Sequence, residues 1–391
     1  MAEVVIVGAG PAGSACALWL ARAGVAVTVV ERQRFPRRKV CGEYLCAGAI
    51  AELDALDVGH VVRRDARVLR GVRLVPSGAG PLELAFAARS LACERAVLDA
   101  HLLTAARDAG AVLLRAQAED LAFESDRTSG VIVRDEHGER RTIPARFVVG
   151  ADGSGSLVAR KLGLMHAERG VRRFAVGGHY RGLGTLDHHV EMHVGSGAYV
   201  ALNPLDDERA NVMVVIRERE LRSWSGAIDA GMSTLCSRLT RNERTLADAH
   251  RIGPRVSIGP LAFSVNGATH GGALLVGDAA GFLDPFTGQG VLLALRGARA
   301  AAEAIGHALA RPAEERAAMA RYGASRERDF RVRRRVGRLV DLLVDVPFLA
   351  RRSSVRFRHR PELAATLLDA LGGIIAPERA LAPGFMARLL L

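Results

Sequence analysis

Residues 4–31, VVIVGAGPAGSACALWLARAGVAVTVVE, decide the fold. Val4 to Val7 is a short apolar run, the mark of a strand buried on both faces of a parallel sheet. Residues 11–23, rich in Ala and Leu, predict a helix, and Val25 to Val30 predict a second strand. The turn between the first strand and the helix reads Gly8-Ala9-Gly10-Pro11-Ala12-Gly13. Gly8 permits the tight turn, Gly10 lets backbone approach a pyrophosphate, and Gly13 lets helix and strand pack closely. The helix N-terminus, at Pro11 and Ala12, then turns its partial positive charge towards the phosphates. Glu31 ends the second strand, where a carboxylate accepts hydrogen bonds from ribose hydroxyls. The stretch predicts a doubly wound α/β domain that binds a dinucleotide. It does not separate NAD from FAD, and Arg32 and Arg34 leave a 2′-phosphate open.

Outward from this unit the texture changes. Residues 90–109 predict a helix, and 111–123 and 130–149 predict strands with a hairpin turn around Asp135 to Gly138. Strand-like segments then alternate through 172–219, among them Arg173 to Arg181, Asp187 to Val194 and Asn211 to Arg217, and predict an antiparallel sheet. Residues 219–250 read as helical, Ala273 to Val276 as a buried strand, and Gly288 to Ala310 as a long helix stopped before Pro312. The remainder is helical and basic. Parallel-sheet character at both ends, with an antiparallel sheet between, predicts a Rossmann-like FAD- or NAD-binding domain in discontinuous segments (1–70, 90–163 and 264–330). An inserted substrate domain takes 71–89 and 164–263, and a helical C-terminal region takes 331–391.

Composition narrows the function classes. At 391 residues, 49% hydrophobic and 25% charged, the chain has a globular profile, which excludes intrinsic disorder. No apolar run is long enough for a spanning helix, and the N-terminus reads as a first strand rather than a signal peptide. The net charge of +12 comes almost wholly from arginine, with only Lys39 and Lys161 as lysines. With 5% aromatics and no nucleic-acid module, no nucleic-acid partner is expected. Five cysteines without a CxxC pair make neither a zinc nor a disulfide framework, and point to a reducing cytoplasm.

Two further motifs separate the cofactors. Gly150-Ala151-Asp152-Gly153-Ser154-Gly155-Ser156 follows the strand Phe147 to Val149. Gly277-Asp278-Ala279-Ala280-Gly281 follows the strand at 273–276 and leads to Asp284-Pro285-Phe286-Thr287-Gly288-Gln289-Gly290. With these three motifs in this order, the sequence resembles the FAD superfamily of para-hydroxybenzoate hydroxylase-like monooxygenases and geranylgeranyl reductases. The match covers roughly residues 1–55, 90–163 and 270–305. The resemblance implies that FAD fills the single fingerprint, and that Gly277 and Asp278 reach its ribityl or ribose side. Thr287, Gly288, Gln289 and Gly290 would place backbone N–H groups at the flavin N1–O2 edge, where a helix N-terminus also stabilises the negative charge of reduction, and Pro285 just before them would also contact the cofactor. Asp152 and Gly153 would lie near the pyrophosphate, and Arg95 would approach FAD phosphate or flavin.

Phe35-Pro36-Arg37-Arg38-Lys39-Val40-Cys41-Gly42-Glu43 is similar to the geranylgeranyl reductase segment that passes over the flavin ring. It adds Arg38, Lys39, Val40, Cys41 and Gly42 to the implied cofactor contacts. Cys41 is a candidate proton donor or redox thiol, activated by Arg37, Arg38 and Lys39. The chain departs from the family at Gly281, where aromatic hydroxylases carry His. It departs again at Gly197 to Pro204, where the reductases' Trp and Phe are missing. No Trp-x-Trp-x-Ile-Pro element of flavin halogenases is present.

The sequence therefore predicts an FAD oxidoreductase driven by NADH or NADPH or by a separate reductase. The preferred reaction is monooxygenation of a small hydrophobic or aromatic molecule. An ene-reductase with Cys41 or Tyr199 at the protonation point is the alternative, and a halogenase or a redox sensor using Cys41 and Cys46 ranks below both. His179 and Tyr180 are candidate polar anchors. His189, Glu191 and His193 share one strand face, without a fourth ligand for a metal. The basic segment 331–360 either caps the substrate domain or lies peripherally on a membrane.

Overall fold

Val4–Val7 lies at the centre of an eight-stranded sheet in the computed structural model, which describes residues 2–390 except 77, 168–171, 185, 196, 242, 243, 245, 247 and 262. It pairs in parallel with Val27–Glu31 on one side and Phe147–Gly150 on the other. Ala273–Leu275 and the start of Val112–Glu124 extend the parallel core outward. Antiparallel hairpins finish both edges, so the order runs from Thr269–His270 to Arg140–Pro144. Burial on both faces explains the unbroken valines: all four residues of the first strand are buried. The helices Pro11–Arg22, Arg95–Asp108 and Gly290–Ala310 supply the small side chains of the main core, among them Ala15, Ala106 and Ala298.

The second eight-stranded sheet runs from His250–Ile258 through Arg173–Arg181, Arg209–Arg217, Ala198–Pro204, His189–Gly195, Arg67–Val75 and Leu82–Ala92 to Tyr44–Leu45. It is antiparallel except where His189–Gly195 meets Arg67–Val75 in parallel. That exception arises because the chain enters this sheet at separate visits. Side chains alternate across it. Val200, Leu202 and Val214 pack towards the helix Ile228–Leu239, while Tyr199, Met213 and Val215 pack towards the C-terminal helices Glu315–Asp345, Pro347–His359 and Pro361–Leu371.

The structure corrects two expectations of secondary structure. Residues 90–92 close the strand Leu82–Ala92, and the helix starts at Arg95. The stretch 219–250 is two helices, Glu218–Ser223 and Ile228–Leu239, with His250 opening a strand; 242, 243, 245 and 247 lie outside the described residues. A boundary at 330/331 cuts a single helix, Glu315–Asp345. That helix begins beside the first sheet, where Tyr322 Oη donates to the carbonyl of Leu275, and ends over the second.

Candidate functional site

A cavity of about 910 Å³ runs between the two sheets, from the glycine turn to the C-terminal helices. At its first end the three fingerprint glycines differ in what surrounds them. Gly8 has φ +101°, and a Cβ there would lie 2.6 Å from the carbonyl oxygen of Ala151. A Cβ on Gly13 would collide with the carbonyl oxygen of Gly8. Gly10 differs: the nearest atom to its Cβ position is Arg37 Nη2 at 3.7 Å, and Gly10 lines the cavity with Pro11 and Ala12. Room for a phosphate thus exists at Gly10, at the N-terminus of the helix Pro11–Arg22. Glu31 lines the same end, accepting from the backbone N–H groups of Ala9 (2.9 Å) and Gln33 (2.8 Å). Its carboxylate ties the strand end to the turn and keeps lone pairs for ribose hydroxyls.

The next wall is the segment 37–44. Arg32, Lys39, Val40, Cys41 and Gly42 all line the cavity. Arg38 does not: it is exposed and donates from Nη1 to the carbonyl of Ile252 at 2.8 Å, on the second sheet. Its neighbour Arg37 takes the expected place, with Nη1 3.2 Å from the buried Asp99. Arg95 also lines the cavity and grips Asp99 with two hydrogen bonds, 2.8 and 2.9 Å. Two guanidinium groups therefore share one buried carboxylate at the phosphate end. Burial and the charges of Arg37, Arg95 and Arg32 lower the Lys39 ammonium from its usual value, with Asp278 acting in the opposite sense.

Cys41 is half-buried, and its Sγ accepts from the Glu43 backbone N–H at 3.3 Å. Burial pushes the thiol up from its usual value, and the opposing cation is Arg95 rather than the three residues expected from the sequence. Burial thus favours the Cys41 thiol over an activated thiolate. Two asparagines hold this segment on the second sheet. Asn203 Nδ2 donates to the Gly42 carbonyl at 2.9 Å and Asn211 Nδ2 to the Cys41 carbonyl at 2.6 Å. Below them Glu43, buried with φ +57°, accepts from the Arg95 backbone N–H and sits 2.7 Å from His179 Nε2. His179 therefore supports the wall from behind, and Tyr180 is buried on the helix 228–239 side; neither is a cavity anchor. Glu191 is occupied by Arg244 at 2.8 Å, with His193 3.2 Å away.

The other two motifs complete the enclosure. Asp152 and Gly153 line the cavity beside Gly8. Asp152 Oδ2 caps the helix Leu157–Lys161, accepting from the Leu157 and Val158 N–H groups, while its buried Oδ1 has no partner among the described residues. Gly277 and Asp278 line the floor, and burial raises the Asp278 carboxyl while Arg95 and Lys39 pull it down. Pro285, Gly288 and Gly290 present backbone at the start of the helix Gly290–Ala310. Gln289 is different. Its side chain turns into the interior, where its Oε1 accepts from Arg333 Nη1 at 2.5 Å. Arg333 is 1% exposed, so a buried cation from the C-terminal helix braces this turn.

Beyond Cys41 the cavity becomes apolar. Leu74, Leu84, Met192, Met213, Leu343 and Phe357 are among its walls. Tyr199 stands here against Phe286, ring centroids 5.1 Å apart, and its buried hydroxyl has no partner among the described residues. Burial drives that hydroxyl well above its usual value. Sequence reading did not place Arg37 among the cavity residues, and it gave no site role to Asn203, Asn211 or Arg333. Proximity of Arg37 to the motif was its only signal; the other three become neighbours only through strand register and helix packing.

The donor set fits FAD. Gly10 leaves room for phosphate beside Arg37, Glu31 offers acceptors for a ribose, and the Gly288–Gly290 backbone at a helix N-terminus suits an anionic ring edge.

The model of a family described as FAD binding domain matches residues 1–334. The menaquinone reductase of Mycolicibacterium smegmatis is 32% identical over 319 residues, covering 77% of this chain and 76% of its own. Digeranylgeranylglycerophospholipid reductase 1 of Methanopyrus kandleri is 31% identical over 338 residues, covering 84% and 87%. Among solved structures, the myxobacterial chondrochloren halogenase superposes with a TM-score of 0.77 at 25% identity, over 84% of this chain and 79% of its own. A flavin-dependent brominase superposes at 0.82 with 21% identity, over 95% and 93%, a likeness of fold.

Proposed function

Because the chain belongs to the FAD binding domain family and is an FAD-dependent oxidoreductase, we propose that it reduces a carbon–carbon double bond in a long apolar molecule. The observation that carries this reading is the junction at Cys41, whose side chain lines one cavity between its cofactor end and its apolar lobe, with burial favouring the thiol over the thiolate. When bound and reduced, FAD would supply the hydride equivalent for one carbon of the double bond. Cys41 gives a proton to the other, and solvent restores it. Asn203 and Asn211 keep the thiol-bearing segment in place, and Leu74, Leu84, Met192 and Phe357 hold the chain and exclude water. The relatives support the reading: menaquinone and a digeranylgeranyl lipid are large, mostly apolar molecules, in keeping with the cavity walls. Electrons come from NADH or NADPH, or from a separate reductase.

Monooxygenation of a smaller aromatic substrate is the second reading. Tyr199 favours it, since its unpartnered hydroxyl beside Phe286 suits a polar substituent on a ring. One experiment separates the two. FAD-loaded protein is reduced anaerobically with one equivalent of dithionite and mixed with a detergent-dispersed digeranylgeranyl lipid, which carries no quinone. Flavin reoxidation without oxygen and a product heavier by two hydrogens support the reductase. Flavin that stays reduced until oxygen is admitted, with a product heavier by one oxygen, moves the assignment to the monooxygenase.

A further inference from the structure

The C-terminal helices have two working faces. Their inner faces close the cavity, through Val340, Leu343 and Val344 on Glu315–Asp345 and Phe357 on Pro347–His359. Their outer faces are unusual in a different way. Arg331, Arg335, Arg338 and Leu342 follow one another at steps of four, three and four residues, and all are exposed. On the next helix Phe348, Arg351, Val355 and Arg358 recur at steps of three, four and three, also exposed. Phe348 is 69% exposed, Leu342 52% and Val355 50%. Four of the seven large apolar side chains exposed among the described residues, Val346 included, fall within this stretch of fourteen.

Charge identifies the occupant. Between 331 and 360 the chain carries ten arginines and two aspartates. The aspartates do not neutralise the outer face: Asp345 reaches Arg173 at 3.7 Å, and burial beside Asp284 and Arg173 places Asp341 on the inner side. Exposed apolar side chains interleaved with arginines on a helix surface match the interface of an anionic bilayer, where rings enter the acyl boundary and guanidinium groups meet lipid phosphates. No helix among the described residues is long and apolar enough to cross a membrane, so the contact is lateral.

We propose that the outer face of helices 315–345 and 347–359 docks the enzyme on an anionic membrane, with its cavity opening towards the lipids. Arg351 and Arg358 also donate to the carbonyls of Gly78 and Pro81, joining this face to the segment that carries the cavity residues Pro76 and Leu82. The docked face is therefore tied to a segment that lines the cavity, which suits entry of a lipid-dissolved substrate from this side; this last step rests on the reductase reading.

The test is co-sedimentation of the FAD-loaded full chain with phosphatidylglycerol vesicles, with phosphatidylcholine vesicles alongside. Expected is binding to the anionic vesicles, reversed by high salt, and at least about tenfold weaker partition for Phe348→Ser/Val355→Ser and for Arg335→Glu/Arg338→Glu. Val112→Ser, which removes an exposed apolar residue elsewhere, binds like the parent. Failure of the parent to sediment with anionic vesicles, or equal sedimentation of both double variants, overturns the proposal. Because sedimentation needs no turnover, the two readings fail separately. A chain that sediments yet reduces no double bond keeps its membrane face and loses the reductase assignment. A chain that reduces detergent-dispersed substrate yet ignores vesicles does the reverse.

Discussion

Asn203 and Asn211 are register partners on adjacent antiparallel strands, and they hold consecutive carbonyls of one loop, Gly42 at 2.9 Å and Cys41 at 2.6 Å. A loop from the cofactor domain is thereby pinned to the substrate sheet at the point where the cavity changes from polar to apolar. Asn211→Leu keeps the side-chain size and leaves the Cys41 carbonyl without its partner. A cost of about 1–3 kcal/mol in stability is expected for an unsatisfied buried acceptor. Chemical denaturation measures this, and the flavin absorption band shifts as the loop loosens. An unchanged denaturation midpoint and spectrum would show that Asn211 does not hold the loop.

Two glycines of the same turn predict different kinds of failure. Gly10 faces the cavity, so Gly10→Val produces a folded chain that retains little FAD. Gly13→Val drives a side chain into the carbonyl of Gly8 and unfolds the turn itself. The expected pattern is a near-parental melting temperature for the first apoprotein and a lowered one for the second, with flavin lost from both. Full flavin occupancy in Gly10→Val counts against the phosphate site.

The contrast also explains what the sequence disclosed. Glycine requirements are local: Gly8, Gly10 and Gly13 are constrained by a turn that a dozen residues build, so their roles are readable from spacing. Arg37 and Arg38 are adjacent, and only the irregular path of the loop sends one to Asp99 and the other to Ile252. Asn203 and Asn211 meet Cys41 and Gly42 across more than 160 residues of chain. Arg333 reaches Gln289 only because one long helix crosses from the first sheet to the second. Composition flagged the basic C-terminal segment, and the structure gives it both an inner and an outer face.

Cys41 separates proton donation from flavin reduction. In Cys41→Ala the flavin accepts electrons at the parental rate, while double-bond reduction slows by about a hundredfold, the usual loss when a general acid is removed. Anaerobic stopped-flow measurement of the two half-reactions reads both. The native thiol also alkylates more slowly than a free cysteine at neutral pH, since burial holds it protonated. Rapid alkylation by iodoacetamide, or an oxidative half-reaction unaffected by the substitution, removes Cys41 from the chemistry.

Asp341 makes stability depend on pH in a defined sense. Burial and the neighbouring Asp284 raise its carboxyl from the usual 3.8 to about 6, with Arg173 opposing and Asp345 adding to the rise. Between these values the folded chain binds a proton that the unfolded chain has released. The contribution to stability is therefore complete below pH 3.8 and is lost as pH rises through about 6. The full rise is worth about 3 kcal/mol. Solvent screening at this half-buried side chain brings the expected effect to about 1–2 kcal/mol. Asp341→Asn carries no such loss, so its stability relative to the parent increases from pH 4 to pH 7 and levels off above. Urea denaturation of both proteins across that range measures the difference. A constant difference would mean that Asp341 ionises in the folded chain as it does in the unfolded one, and that Arg173 compensates it completely.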